Sequence, residues 1–361
     1  MGKTCRTEPG RWRWRFAALR FCLGPGLGFA GVVAAFLVNH SLHAGEPAAA
    51  VPPSEMRWAD ASRLGRPFAK DPSVIRFHDH YYLYFSLPPF DPKLAPTNAA
   101  QGWSIGIAES TNLLDWTKVG ELNPAQACDQ KGLCAPGARV LNGQVQLFYQ
   151  TYGNGPHDAI CHAWSADGVH FTRDPSNPVF HPTGNWNNGR AIDAEVYPQG
   201  RQLLLFFASR DPLGQTQLIG VAAAPLTSDF SRSTWKQICD QPILRPELPW
   251  EKHCLEAPTV TRHGNELVLF YAGAYNNEPQ QIGVAYSSDG VHWHRFSSSP
   301  LLANGGPGAW NSSESGHPGY FLDADGRSYL FYQGNPDHGK TWQLAFVRLD
   351  WQGNRPVLAE P

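Results

Sequence analysis

"ICHAWSADGVHFTRDPSNPVF" (residues 160–180) and "IGVAYSSDGVHWHRFSSSPLL" (residues 282–302) share one skeleton: I-x-x-A-x-S-x-D-G-V-H-aromatic, a polar stretch, then Pro and two apolar residues. A weaker copy, "IGIAESTNLLDWTKVGEL", occupies 105–122, and a longer one, "IGVAAAPLTSDFSRSTWKQICDQPIL", occupies 219–244. A degraded fifth, "WQLAFVRLDWQGNRPVL", lies at 342–358. Self-similarity at a near-fixed period marks a repeat architecture, in which each unit is one supersecondary element that its neighbours must cover.

Each copy follows a hairpin-like unit: an apolar run, a tight polar turn, then a run rich in Leu, Phe and Tyr. These units begin at Asp71, Ala135, Asp193, Glu256 and His317, at steps of 64, 58, 63 and 61 residues. No long amphipathic helical pattern intervenes. The expected fold is all-β, a five-bladed β-propeller with four-stranded antiparallel blades. Little chain remains after the fifth hairpin, so a strand from around 55–68 is expected to complete the last blade and close the ring.

Composition agrees. The chain has 361 residues, 42% of them hydrophobic and 17% charged, enough apolar material for a large core. The net charge of −2 provides no basic field for nucleic acid. Aromatic residues make up 12%, including 13 Trp, and such rings can stack on sugar faces while polar edges bond hydroxyls.

The N-terminus reads separately. Arg6, Arg11, Arg13, Arg15 and Arg20 flank or precede the uncharged stretch "FCLGPGLGFAGVVAAFLV" (21–38), and small residues follow from Ala44 to Ala50. This order is that of a secretory signal peptide, or of a membrane anchor if the segment is retained. Residues 1–50 are therefore expected to be a leader plus linker, and 51–361 the propeller, as an exported monomer. In an oxidising compartment Cys128 with Cys134, and Cys239 with Cys254, could close loops, leaving Cys161 buried and free.

In a propeller the first strand of each blade lines the central channel, so equivalent first residues gather at one mouth. Here these are Asp71, Ala135, Asp193, Glu256 and His317. Three carboxylates and an imidazole converge. Crowded carboxylates repel, so at least one holds its proton more tightly. Glycoside hydrolysis uses that split: a protonated acid for the leaving oxygen, and an ionised carboxylate for water or for the sugar carbon. Each residue also has a plainer reading. Asp71 could cap a turn before Pro72, Glu195 could point inward in place of Asp193, Glu256 could be a solvated loop residue, and His317 could be structural. Candidate sugar contacts are Arg210, Asp211, Tyr271, Tyr275, Asn276, Gln333 and Asn335 at hairpin ends, with Trp103, Trp186, Trp250 and Trp310 in loops. Two rival functions fit the same residues: a non-catalytic sugar-binding propeller, and a scaffold held by a cation.

"KDPSVIRFHDHYYLYFS" (70–86), "AIDAEVYPQGRQLLLFF" (191–207), "LEAPTVTRHGNELVLFYAG" (255–273) and "SGHPGYFLDADGRSYLFYQGN" (315–335) resemble glycoside hydrolase family 43 and its five-bladed relatives, over residues 68 to about 350. The resemblance implies that Asp71, before Pro72, is the general base, that Asp193 tunes and orients the acid, and that Glu256 is the general acid. It implies inversion at the anomeric carbon and arabinose- or xylose-type linkages in an oligo- or polysaccharide. It implies no required cofactor, and places Gly316-His317 under the site, where His317 would be a ligand if a structural Ca2+ lay near the axis. Family 32, of fructan and sucrose hydrolases, is similar, but its nucleophilic Asp follows Asn, where this chain has Lys70. Family 117, which removes anhydrogalactose from agar oligosaccharides, and family 130, of mannoside phosphorylases, share the propeller.

Overall fold

The computed structural model describes residues 56–359. The expected leader, 1–50, lies outside the described residues. Among those described, no helix is long and apolar enough to cross a membrane.

Five antiparallel sheets follow one another along the chain. Blade one comprises Lys70–Phe77, His80–Leu87, Ser104–Ser110 and Thr117–Leu122. Blade two comprises Leu133–Leu141, Gln144–Thr151, Ile160–Ser165 and Thr172–Arg173. Blade three comprises Ile192–Gln199, Gln202–Arg210, Gln217–Pro225 and Lys236–Gln237. Blade four has Leu255–His263, Glu266–Gly273 and Gln281–Ser287, its outer strand reduced to a bridge between Tyr286 and His294. Blade five has Glu314–Leu322, Ser328–Asn335 and Gln343–Gln352. Arg57–Trp58 adds to that last strand, opposite Ala345 and Leu344, and closes the ring as expected.

The second strands carry the core. Phe85, Phe148, Phe206, Phe207, Phe270 and Phe331 are fully buried. The apolar clusters are shared between neighbours: Phe85 of blade one packs with Phe331 and Phe346 of blade five, and Tyr84 of blade one with Leu147 of blade two. No blade covers its own faces, which is why the repeat must close.

Neighbouring first strands are stitched together near the axis. Ser73 Oγ accepts from Ala138 N at 2.9 Å, Glu195 Oε1 from Val260 N at 3.3 Å, and Thr259 Oγ1 from Tyr320 N at 3.1 Å. At the two other equivalent positions, Gly137 and Gly319, a Cβ would overlap the carbonyl oxygens of Ala194 and Pro72. There the backbones themselves come together, and only glycine fits.

The S-x-D-G-V-H skeleton is a turn leaving the third strand. Ser165 Oγ accepts from Gly168 N, and Asp167 Oδ1 accepts from Val169 N and His170 N. Ser287 and Asp289 repeat every one of these bonds. In the weaker copy Asn112 Oδ1 takes the N–H groups of Leu114 and Asp115. The motif that reveals the repeat is thus an Asx turn, and its histidines, His170 and His292, stand 87% and 88% exposed, away from the axis.

The two expected cysteine pairings do not form, and all five cysteines of the described residues are free. Cys134 is the second residue of the innermost strand of blade two and lines the axial cavity, whereas Cys128 lies 3.9 Å from Cys161, sulfur to sulfur. Cys239 sits against Val221 and Cys254 against Gln217. Short spacing in sequence does not mean proximity when the loop crosses from the outer edge of one blade to the inner edge of the next.

Candidate active site

The local backbone shows how the site is made. Asp71, Ala135, Asp193, Ala257 and His317, one per blade, have left-handed φ values of 56°, 47°, 54°, 52° and 48°. In each blade the first two strands slip register at that point, between Lys70 and Ser73 in blade one and at its equivalents elsewhere. A left-handed non-glycine residue costs on the order of 1 kcal/mol or more, and five in register mark a bend that the ring enforces.

This geometry corrects the register of one residue. The repeat spacing aligns Glu256 with Asp71, but the left-handed residue of blade four is Ala257. Glu256 instead shares its place with Lys70, Cys134, Ile192 and Gly316, opposite Ala272 as Lys70 is opposite Ser86. "EAP" and "DPS" look alike, and the Pro misleads: it follows the left-handed residue in both blades, one position later relative to the acid in blade four. Two successive rings therefore contribute, one bearing Asp71, Asp193 and His317, the other Lys70 and Glu256.

Both rings line a cavity of about 280 Å³ at one mouth of the axis, with Trp103, Tyr152, Arg190, Arg210, Tyr275 and Asn276 as walls. A larger cavity, about 630 Å³, opens at the other mouth. It touches Asp193 and His317 but neither Asp71 nor Glu256, so only the smaller cavity is lined by all three carboxylates.

Asp71 and Asp193 differ in their electrostatic settings. Burial alone would raise Asp71, but His317, Lys70 and Ser86 outweigh it and hold it below the ordinary carboxylate range. His317 Nδ1 lies 3.1 Å from Asp71 Oδ1. Asp193 is pushed up to about 7 by burial, with the charges of Glu256 and Asp71 adding to it, against His317 and Arg190. Its Oδ2 accepts from Ala257 N at 3.2 Å. Glu256 Oε1 accepts from Gln280 Nε2 at 2.5 Å, and its Oε2 accepts from Gln217 Nε2. Lys70 donates to Asn276 Oδ1 at 2.8 Å and lies over Trp342. Its burial would lower it, but Asp71, Glu314 and Glu256 raise it, so it stays charged.

Of the expected sugar contacts, Arg210, Tyr275, Asn276 and Trp103 reach the cavity. Gln333 stands one layer behind, accepting from Asp71 N at 2.9 Å and donating to Glu314 at 2.7 Å. Asp211 caps its own hairpin through Gln215 N and Thr216 N. Trp250 stacks on Tyr271 and covers Gly273 and Gly283, outside the cavity, and Tyr271 itself is buried against Glu251. Trp186 stacks on Phe207, Trp310 packs at a tilt against Tyr332, and Asn335 donates to Asn277. Among the described residues no group of three or more His, Cys, Asp or Glu side chains could hold a metal ion. His317 Nδ1 is engaged with Asp71.

Tyr152, Arg190, Gln150, Gln217, Gln280 and Glu314 were not anticipated. Gln150 and Gln333 had a signal: both end the repeated run "LFYQ". Each takes the N–H of the next blade's left-handed residue, Asp193 and Asp71 respectively, as Ser86 takes that of Ala135. Blade three has Ala208 there, and Asp193 itself serves Ala257.

The sequence profile of glycosyl hydrolases family 43 matches residues 64–354. A β-1,2-mannobiose phosphorylase of Thermoanaerobacter is 29% identical over 147 residues, 35% of this chain, and the match spans about half (47%) of that relative's length. Among solved structures, a thermostable family-43 glycoside hydrolase superposes with a TM-score of 0.65 at 20% identity, covering 81% of this chain and 93% of its own. An α-L-arabinofuranosidase from Lactobacillus brevis gives 0.62 at 16% identity, over 84% and 97%. An endo-1,4-β-xylanase from Bacteroides thetaiotaomicron gives 0.62 at 19%, over 81% and 94%. At these identities the structural likeness is one of fold.

Proposed function

The chain belongs to glycosyl hydrolases family 43 and is a glycosidase, and from that premise we propose that it is exported and hydrolyses arabinose- or xylose-type linkages of oligo- or polysaccharides with inversion. The observation that carries the reading is the convergence of Asp71, Asp193 and Glu256 on one cavity, with Asp71 held low beside His317 and Asp193 pushed up by burial. In this mechanism Glu256 gives its proton to the glycosidic oxygen as the bond to the anomeric carbon breaks. Asp71 takes a proton from water as the water oxygen bonds to that carbon from the opposite face. Asp193, two residues from Glu195 on the same strand, orients Glu256 and keeps its surroundings from becoming fully anionic. Trp103 and Tyr152, 5.5 Å apart, form an aromatic wall for a sugar face. The order of basic residues followed by the apolar stretch 21–38 supports export.

The test is incubation of the full chain with arabino-, xylo-, fructo- and agaro-oligosaccharides, with products separated by chromatography. Release of a pentose supports the reading; release of fructose or anhydrogalactose alone replaces the substrate; turnover unaltered in Glu256→Gln removes that residue from the mechanism. A second reading is phosphorolysis, favoured by Lys70, Arg190 and Arg210 lining the cavity and by the phosphorylase relative. Sugar phosphate formed only when inorganic phosphate is added would establish it in place of hydrolysis.

A further inference from the structure

Glu256 is gripped on both oxygens by side-chain amides, and neither amide is free to turn. Gln217 Oε1 faces Arg190 Nη1 and Arg210 Nε, each at 3.4 Å. A guanidinium only donates, so the oxygen of Gln217 must face it and the NH2 must face Glu256. Gln280 Nε2 donates to the Ala274 carbonyl at 2.9 Å, a group that only accepts, so this NH2 too is fixed toward Glu256. Both glutamines are buried. Gly316, preceding His317, lacks a Cβ because one there would overlap the Gln280 amide.

We propose that Gln217 and Gln280 are positioning residues that clamp Glu256 so that its remaining lone pairs, and the proton they carry, face the bound glycoside. A carboxyl group has about four lone-pair sites. The clamp occupies two of them, one on each oxygen. Free rotation would spread the proton over orientations that miss the leaving oxygen, and positioned proton transfer is worth ~10² to 10⁴ in rate. Lys70, Asp193, Tyr275 and Glu314 also act on or are acted on by the Glu256 charge, Asp71, Arg190, Arg210, Asn276 and His317 line the same cavity, and the Cys254 thiol adds a hydrogen bond to Glu256. None of these contributes a third amide grip, since the Asn276 NH2 faces Gln280 and Glu314. The inference rests on Glu256 being the general acid.

The experiment measures kcat and KM of the full chain, Gln217→Met and Gln280→Met on two glycosides of one sugar. One has an alkyl leaving group that needs protonation; the other has a dinitrophenyl leaving group that departs without it. The clamp lowers kcat on the alkyl glycoside by ~10- to 100-fold and leaves the dinitrophenyl glycoside within about twofold, with KM little changed. Gly316→Ala, which displaces Gln280 without removing it, shows the same split and guards against a folding defect in Gln280→Met. Equal losses on both substrates, or none on either, overturn the clamp. Wild-type protein that cleaves neither glycoside overturns the hydrolase reading, and the clamp falls with it.

Discussion

Asp193 and Glu195 lie two residues apart on the first strand of blade three, and burial pushes both up to about 7. Their settings differ. Asp193 faces Glu256, Asp71 and His317 at the narrow mouth of the axis. Glu195 lies at the wide mouth, where Arg139 is its charged neighbour and its carboxylate binds Thr259 and Val260 of blade four. One sits among reactive groups; the other is a stitch between blades. A perturbed acid points to a site only when its perturbers are themselves chemically useful.

The comparison can be broken first at the narrow mouth. Glu256→Gln is expected to lower hydrolysis by ~10³-fold, since it removes the acid proton while keeping shape. Its melting temperature should stay within a few degrees of wild type, and a calorimetric scan beside the assay checks both. Asp71→Asn should cost a similar factor and leaves His317 facing a neutral amide in place of a carboxylate. A kcat near wild type in that variant would return Asp71 to a turn-capping role.

Asp193→Asn sharpens the contrast with smaller numbers. The wild-type profile of kcat/KM should fall as pH rises past about 7, as Asp193 ionises beside Glu256. The neutral amide should cost ~10- to 100-fold in rate and remove that alkaline limb. A limb that persists would belong to another group.

The smallest effect on activity belongs to the wide mouth. Glu195→Gln should hydrolyse within about twofold of wild type, yet change how stability depends on pH. Glu195 and Asp193 at about 7 and Glu314 at about 8 are all raised in the fold above ordinary carboxylates. Between pH 4 and 8 the folded state therefore binds more protons than the unfolded, so stability is fullest at the acid side and is lost as pH rises through 7 to 8. Thermal unfolding at pH 5.5 and 8 should show that loss in wild type and a smaller one in Glu195→Gln. If Glu195→Gln instead abolished turnover, the distinction between the two mouths would fail.

The sequence made the ring legible because the repeated turn and the Leu-Phe-Tyr strands are local features, each set by nearby residues such as Ser165 with Asp167. Closure by Arg57–Trp58 followed from the shortage of chain in blade five. The site was legible in its residue types and less so in its register. Glu256 lies one position before its blade's bend, a displacement that depends on where Ala257 turns left-handed rather than on any letter pattern. Trp250 looked like a loop aromatic, but two glycines, Gly273 and Gly283, leave a flat surface that it covers. Gln217 and Gln280 come from third strands, or just before them, whose alternation reads only as core, and their function depends on partners far along the chain.

The most direct test of the central claim is proton NMR of the first minutes of hydrolysis, before the released sugar equilibrates its anomers. With Asp71 as base and Glu256 as acid on opposite faces, the sugar should appear with inverted anomeric configuration. Retained configuration would contradict the account, because it would make one of these carboxylates a nucleophile.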